Sequence, residues 1–141
     1  MRPIRKALLV NTITIYNHYK NDDGDTLYIP SVVKQCLCYN KKNFLSVNGY
    51  GANKQYNLNI ILDNKNTFVK GKQYMDYADW QELLEEEKKS YWTLQVDDII
   101  IKKEMIVEDI EEYAGEKFVL KEKVDNQDKD GSIHSREIIC I

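Results

Sequence analysis

Hydrophobic and polar residues alternate with a period of two along much of the chain, which is the pattern of a half-buried strand. In the segment 11–16, Ile13 and Ile15 lie on one face, and threonines and a tyrosine lie on the other. The acidic, glycine-containing segment 21–25 is typical of a turn. Strand character resumes over 26–39, so the first third of the chain predicts a hairpin.

Further strands are expected where β-branched and aromatic residues cluster between turn residues. The predicted strands cover 56–62, 67–69, 91–95, 99–101, 117–124 and 133–141. The acidic pair Asp97-Asp98 is expected to form the turn between two of them, with both carboxylates in water. Pro30 has no N–H to donate, so it should lie at a sheet edge or a bend.

The segment 77–90 has hydrophobic residues at helical spacing and predicts an amphipathic helix with Asp76 as a candidate N-cap. The expected buried stripe is Tyr77, Trp80 and Leu84, with Leu83 as a further candidate, and the expected water-facing residues are Glu85, Glu86, Lys88 and Lys89. A second short helix is predicted over 107–113, ending at Gly115.

These elements together predict a mainly β (α+β) fold: a small β-barrel or sandwich with one or two short inserted helices. With no repeat or linker composition, residues 1–141 are expected to form a single domain. The polar segment 41–54, which contains Gly49 and Gly51, is expected to be a flexible loop that becomes ordered on assembly.

Composition narrows the functional classes. Twenty Lys and Arg against 23 Asp and Glu give a net charge of −3, which does not favour specific nucleic-acid binding. No apolar run reaches the roughly 18 residues of a transmembrane span, and the short run 7–10 does not make a signal peptide. The expected location is therefore the cytoplasm, without a membrane partner.

The three cysteines do not form an even-numbered disulfide framework. Cys36 and Cys38 are two residues apart and share a strand face, so a zinc site completed by Cys140, His18 or His134 is one hypothesis. A Cys–His nucleophilic pair is another. Free buried cysteines are the alternative to both, and no catalytic motif supports an enzyme. We therefore expect no enzymatic activity and no cofactor.

The segment 126–137 has the spacing of a calcium-binding loop. Oxygen-bearing ligands would be Asn126, Asp128, Asp130, Ser132 and Glu137, with Gly131 at the sharp turn. The strand-like flank 118–124 and the four residues after Glu137 do not fit two flanking helices. The alternative is a hairpin turn, because Asp, Asn and Gly are also turn residues.

Large aromatic residues are candidate interface anchors, because tyrosine and tryptophan dominate many protein–protein contacts. The candidates are Trp80, Tyr91, Trp92, Tyr50 and Tyr56. The alternative for the tryptophans and Tyr91 is core packing of the helix against the sheet.

Three segments together give a resemblance to a known family. They are Asn11–Asn17 with an acidic glycine turn, the central Tyr91-Trp92-Thr93-Leu94-Gln95 with 98–102, and a closing region with Gly131-Ser132 and His134. In this order they resemble a family of small proteins encoded in the structural-gene region of tailed phages and prophages of Gram-positive bacteria. The central Trp-Thr-Leu-Gln is the most specific part.

This resemblance implies a virion structural protein at the head–tail junction: a head-completion, neck or tail-joining ring component acting through protein–protein contacts. It implies a homo-oligomeric ring, portal, adaptor or tail-tube partners, and passage of DNA through the ring without specific binding. The protein would reside in the host cytoplasm before assembly and in the virion afterwards. Two further hypotheses remain, a calcium-binding module using 126–137 and a host-directed phage inhibitor.

Overall fold

The computed structural model describes residues 5–46 and 52–141, and it describes side chains over 5–40 and 57–141. The protein is mostly β, with 50% strand and 9% helix, and six strands close into a β-barrel that carries two short helices. This confirms the predicted fold class and selects the barrel over the sandwich.

The first element that the structure describes is a short 3₁₀ turn at Lys6–Leu8. The strands are β1 (Asn11–Lys20), β2 (Thr26–Ser46), β3 (Ala52–Asp63), β4 (Phe68–Val69), β5 (Gln73–Tyr74), β6 (Tyr91–Trp92), β7 (Ile99–Ile101), β8 (Phe118–Gln127) and β9 (Ile133–Cys140), and the helices are α1 (Tyr77–Trp80) and α2 (Glu85–Lys88).

The barrel strands follow the order β1–β7–β8–β9–β3–β2, and the antiparallel pairing of β1 with β2 closes the ring. The alternating apolar residues of these strands fill the interior, including Ile13, Ile15, Leu58 and Ile138. Between β3 and β7 the chain leaves the barrel and forms β4, the parallel pair β5–β6 and both helices. We call this segment, residues 68–92, the helical excursion. Leu94 returns from this excursion into the main core cluster.

Strand β2 exchanges one partner for another at a bulge. Residues 26–34 and Cys36 pair with β1, whereas residues 36–46 pair with β3. The extra residue is Gln35, which has a φ of 60°, and the register shifts opposite it between Asn11 and Thr12. The Thr67 hydroxyl donates to the Gln35 carbonyl at 2.6 Å. The bulge therefore allows β2 to pair with β1 through its first part and with β3 through its second part.

The predicted loop 41–54 is largely strand. Residues 41–46 lie in β2 and residues 52–54 lie in β3, with Ser46 paired to Ala52. Residues 47–51 lie outside the described residues. We predicted a loop because the segment is polar. The prediction is wrong because two strands that pair only with each other do not need an apolar face.

The predicted helix 77–90 is broken into two single turns. Leu84, expected in the buried stripe, is 73% exposed and has extended backbone angles. Lys88, expected to face water, is buried, and its amine donates to the carbonyls of Gln81 and Leu83. The Asp76 side chain makes no capping hydrogen bond. In the described part of the chain, no helix is long and apolar enough to span a membrane.

The helix predicted over 107–113 does not form either, and turns replace it. Hydroxyls on the outer face of β1 hold the preceding segment instead. The Tyr16 hydroxyl donates to the Met105 carbonyl at 2.7 Å and accepts from the Val107 N–H at 3.0 Å. Thr14 makes the same pair of contacts to Lys103 and Met105. These side chains therefore pair backbone groups of the segment 103–107, which has no strand partner among the described residues.

Candidate functional site

Part of the β2–β3 hairpin lies beyond the strands of the barrel. Strand β3 pairs with β9 only over residues 58–63, and β2 pairs with β1 only as far as Cys36. Residues 41–46 and 52–57 pair with each other and with no other strand in the described structure. We call this two-stranded segment the ribbon. Both of its outer edges carry backbone groups without a strand partner.

A cleft of about 1020 Å³ lies along the first part of β2. We call it the edge cleft. Its lining comes from β2 (26–30), from β1 (Tyr16 and Tyr19), from the helical excursion (Lys72, Glu85 and Lys89) and from the turns at 107–111. Two other clefts in the described part of the chain, of about 200 and 380 Å³, are smaller.

The cleft exposes one edge of β2. Strand β1 covers the other edge, and β4 pairs with β2 only at Val33 and Lys34. Over residues 26–32, no described strand lies on the cleft side. Pro30 falls on this edge, as predicted from its missing N–H. Its carbonyl accepts from the Lys72 amine at 3.0 Å.

The edge cleft is acidic. Four carboxylates line it against the two lysines Lys72 and Lys89, and no ion pair within the described residues neutralises any of the four. The carboxylates are Glu85, Glu108, Asp109 and Glu111. An acidic groove of this kind favours a partner that carries positive charge.

Two tyrosines donate hydrogen bonds to these carboxylates. The Tyr19 hydroxyl donates to Glu85 at 2.6 Å, and the Tyr28 hydroxyl donates to Glu111 at 3.0 Å. Burial, followed by the hydrogen bond to the carboxylate, raises the pKa of each tyrosine to about 12. Both therefore remain neutral donors near pH 7, which leaves the negative charge of the cleft in place.

A buried polar cluster lies between β1 and the segment before β7. The Asp98 carboxylate is fully buried and accepts from the Asn17 amide at 2.8 Å and from the backbone N–H groups of His18 and Gln95 at 3.0 and 2.9 Å. The Asn17 amide also donates to the Thr93 carbonyl at 2.7 Å. The expectation that both carboxylates of Asp97-Asp98 are solvated is wrong for Asp98.

The His18 imidazole belongs to the same cluster. Its Nδ1 contacts Asp98, and its ring stacks on Tyr77 with centroids 5.9 Å apart. The hydrogen bond with Asp98 raises the pKa of His18 despite the opposing effect of burial. The described residues bring no serine, threonine or cysteine side chain into hydrogen-bond contact with it. The cluster therefore holds the 93–98 segment against β1 and adds a titratable group at that contact.

The three cysteines face the barrel interior and are all free. Burial raises the pKa of Cys140 to about 12. The side-chain hydrogen bond with Cys38, together with burial, keeps Cys36 protonated by raising its pKa. Among the described residues, no group of three or more His, Cys, Asp or Glu side chains is placed to hold a metal ion. His18 lies in the Asp98 cluster instead.

The candidate calcium-binding segment 126–137 contains the turn of the β8–β9 hairpin. This agrees with the alternative interpretation of the segment as a hairpin turn. The Asp128 N–H donates to the Ser132 carbonyl at 2.8 Å, and Gly131 has a φ of 88°. Asn126 binds the Ser135 hydroxyl at 3.2 Å. Glu137 accepts from the Tyr39 hydroxyl at 2.6 Å. Asp128, Asp130 and Ser132 are therefore together, whereas the first and last positions of the loop have other partners.

The aromatic interface candidates are mainly core residues. Trp80 is fully buried, Trp92 is 6% exposed, and Tyr91 packs in part against the Trp80 cluster. This burial favours the core-packing alternative for all three. Tyr50 lies outside the described residues, and only the backbone of Tyr56 is described, as part of the ribbon. The edge cleft was not found from the sequence, because its lining comes from four distant segments.

Comparison with protein-family models gives one match, to a family of unknown function (DUF6751), over residues 8–136. Searches of curated proteins and of solved structures found no match.

Proposed function

We propose that this chain, which belongs to the family of unknown function DUF6751, is a structural protein that works by assembling with other protein chains. We propose further that its place is the head–tail junction of a tailed phage or prophage, as a ring component. The ribbon is the single observation that supports assembly best.

A two-stranded ribbon is marginally stable in water unless something packs against it. Here the residues 41–46 and 52–57 extend past the last residues that β1 and β9 pair. Their outer edges carry N–H and C=O groups with no strand partner among the described residues. Natural proteins cover or pair such edges to avoid uncontrolled association. A ribbon of this kind is explained if a neighbouring chain covers it after assembly.

The more specific proposal, a head–tail junction ring, rests on the sequence resemblance. That resemblance lies in 11–17, in the Trp-Thr-Leu-Gln segment 92–95 and in the region 131–134. The partners would be further copies of the chain together with portal, adaptor or tail-tube proteins, and DNA would pass through the ring without specific binding. The near-neutral net charge of −3 is compatible with a channel that does not retain DNA.

The test is mass spectrometry of purified, DNA-filled particles from the strain that encodes this chain. A fixed number of copies, about six or twelve as a closed ring requires, is the expected result. Absence from the particles would overturn the proposal. In that event, recovery of a bacterial enzyme from host lysate would support the alternative of a host-directed inhibitor.

A ribbon variant separates assembly from folding. Residues 43–55 are replaced by Asn-Gly, which closes a tight hairpin between Lys42 and Tyr56, a pair already in register. We expect the variant to keep the Tm of the parent protein and to be missing from particles. The control is Lys129→Ala in the exposed β8–β9 turn, which should be incorporated normally.

A further inference from the structure

We infer that the edge cleft is the receptor for the ribbon of a second copy of this chain, which adds to β2 as an extra strand. This inference rests on the proposed assembly role and specifies the contact that would produce it. Backbone hydrogen bonds to the exposed edge before Pro30, whose carbonyl already accepts from Lys72, would supply affinity. The two walls of the cleft would select the side chains of the incoming strand.

The cleft has the form that strand addition requires. Its walls lie on opposite faces of the β2 edge. Leu27 and Ile29 pack on the side of Tyr19 and the helical excursion, whereas Tyr28 packs on the side of Val107 and the turns. Successive side chains of an added strand point to opposite faces. An incoming strand would therefore place alternate side chains into the two walls.

The charges of the two elements are complementary. The ribbon segments 41–46 and 52–57 contain Lys41, Lys42 and Lys54 and no acidic residue. The edge cleft has four carboxylates and two lysines. The acidic residues lie in both walls, with Glu85 in one and Glu108, Asp109 and Glu111 in the other. A basic strand would therefore find a carboxylate on whichever face its lysines point to.

The geometry of β2 requires the ribbon to come from another copy. The exposed edge (26–30) and the first ribbon strand (41–46) are parts of the same continuous strand, on either side of the bulge at Gln35. A strand cannot fold back to pair alongside its own beginning without breaking. A contact between two different surfaces of identical chains is heterologous, and it repeats until a ring closes or a filament grows.

Zero-length cross-linking of an equal mixture of unlabelled and nitrogen-15-labelled protein tests the contact. Carbodiimide activation joins a lysine amine to a carboxylate only when the two groups touch. We expect cross-linked peptides of mixed isotopic composition that join Lys41, Lys42 or Lys54 to Glu85, Glu108 or Glu111. The same cross-links should form in purified particles.

Charge-reversal variants give an independent measurement. Glu108 is exposed and makes no hydrogen bond or ion pair within the described residues, so Glu108→Lys should leave the fold intact. In sedimentation velocity we expect roughly tenfold weaker self-association for Glu108→Lys, as for the loss of an interfacial charge pair. Lys41→Glu with Lys42→Glu should weaken it equally, and combining the variants should restore much of the loss. The control is Glu122→Lys, an exposed residue of β8 outside the cleft.

The outcomes separate this inference from the proposed function. A chain that is incorporated into particles but cross-links through other surfaces overturns the cleft assignment alone. Cross-links from the cleft to a different particle protein also overturn it, because the occupant is then not a second copy. A chain that is absent from particles and monomeric in solution overturns both proposals.

Discussion

Nδ1 of His18 lies 2.5 Å from Oδ1 of Asp98, so an imidazole that is 21% exposed is held by a carboxylate with no exposure to solvent. The two residues are 80 positions apart, and the whole helical excursion lies between them. This contact therefore joins the first strand of the barrel to the end of that excursion. It also makes the junction depend on the protonation of one histidine.

Stability should depend on pH through His18. Folding raises the pKa of His18 above its ordinary value of 6.5, chiefly through the hydrogen bond with Asp98. The contribution of His18 to the free energy of unfolding is therefore complete below pH 6.5, and it is lost as the pH rises through the pKa of the folded state. Urea unfolding of the parent and His18→Gln should show a stability difference that favours the parent more at pH 6 than at pH 8.5. A difference independent of pH would contradict this.

Replacing the buried carboxylate should be costly. Asp98→Asn puts an amide where the Asn17 amide and the N–H groups of His18 and Gln95 need an acceptor. We expect the free energy of unfolding to fall by about 3 kcal/mol. Asp97→Asn is the matched control, because Asp97 is exposed and asparagine tolerates its φ of 79°. Denaturant unfolding of both variants checks the difference, and equal losses would contradict burial of Asp98.

The buried amine of Lys88 should stabilise the broken helical segment. It donates to the carbonyls of Gln81 and Leu83 and lies 5.4 and 5.5 Å from the ring centroids of Trp80 and Tyr19. Lys88→Ala leaves these carbonyls without their donor, so we expect a loss of about 2 kcal/mol. Lys89→Ala removes only an exposed pair with Glu86 and should cost less than about 0.5 kcal/mol. Thermal unfolding followed by tryptophan fluorescence compares the two.

The bulge at Gln35 should accept glycine and reject valine. A φ of 60° is costly for a β-branched residue, whereas glycine adopts it freely. Gln35→Gly should change stability by less than about 1 kcal/mol. Gln35→Val should lower it by about 2 kcal/mol. If both variants unfold at the same denaturant concentration, the bulge does not hold this conformation in solution.

Calcium should not stabilise the protein. A calcium site using 126–137 would need Glu137, but its carboxylate accepts from Tyr39 and from the Asn59 amide at 3.1 Å. A ligand that binds the folded state raises Tm by mass action. We therefore expect the same Tm with and without millimolar calcium. A rise that Asp128→Asn abolishes would revive the calcium-module hypothesis.

The barrel strands could be predicted because their pattern is local. Alternation around Ile13 and Ile15, the acidic glycine turn that follows, and the polar turn at 128–132 each depend on a few adjacent residues. The structure places strands β1, β8 and β9 where these signals lie. The position of Pro30 at an exposed edge follows from its missing N–H and needs no knowledge of neighbours.

The features that the sequence did not indicate depend on distant residues. Asp97 and Asp98 look alike in the sequence, and only the donors from β1 distinguish the buried one. Lys88 stands in a charged run that is typical of a solvated helix face, yet carbonyls freed by the helix break bind its amine. The edge cleft is assembled from β1, β2, the helical excursion and the turns at 107–111, so no single segment carries its signal.

The length of β2 has a consequence for any assembly built from this chain. The ribbon and the exposed edge lie on the same strand. If the ribbon of one copy binds the edge of the next, the residues between them set the distance between successive subunits. Tyr28 and Phe44 are separated by 16 residues, which is at most roughly 50 Å at about 3.3 Å per residue. The bulge at Gln35 would then set the angle between successive subunits. Inserting or deleting residues beside it would change the diameter of any ring that this contact closes and leave the chemistry of the contact unchanged.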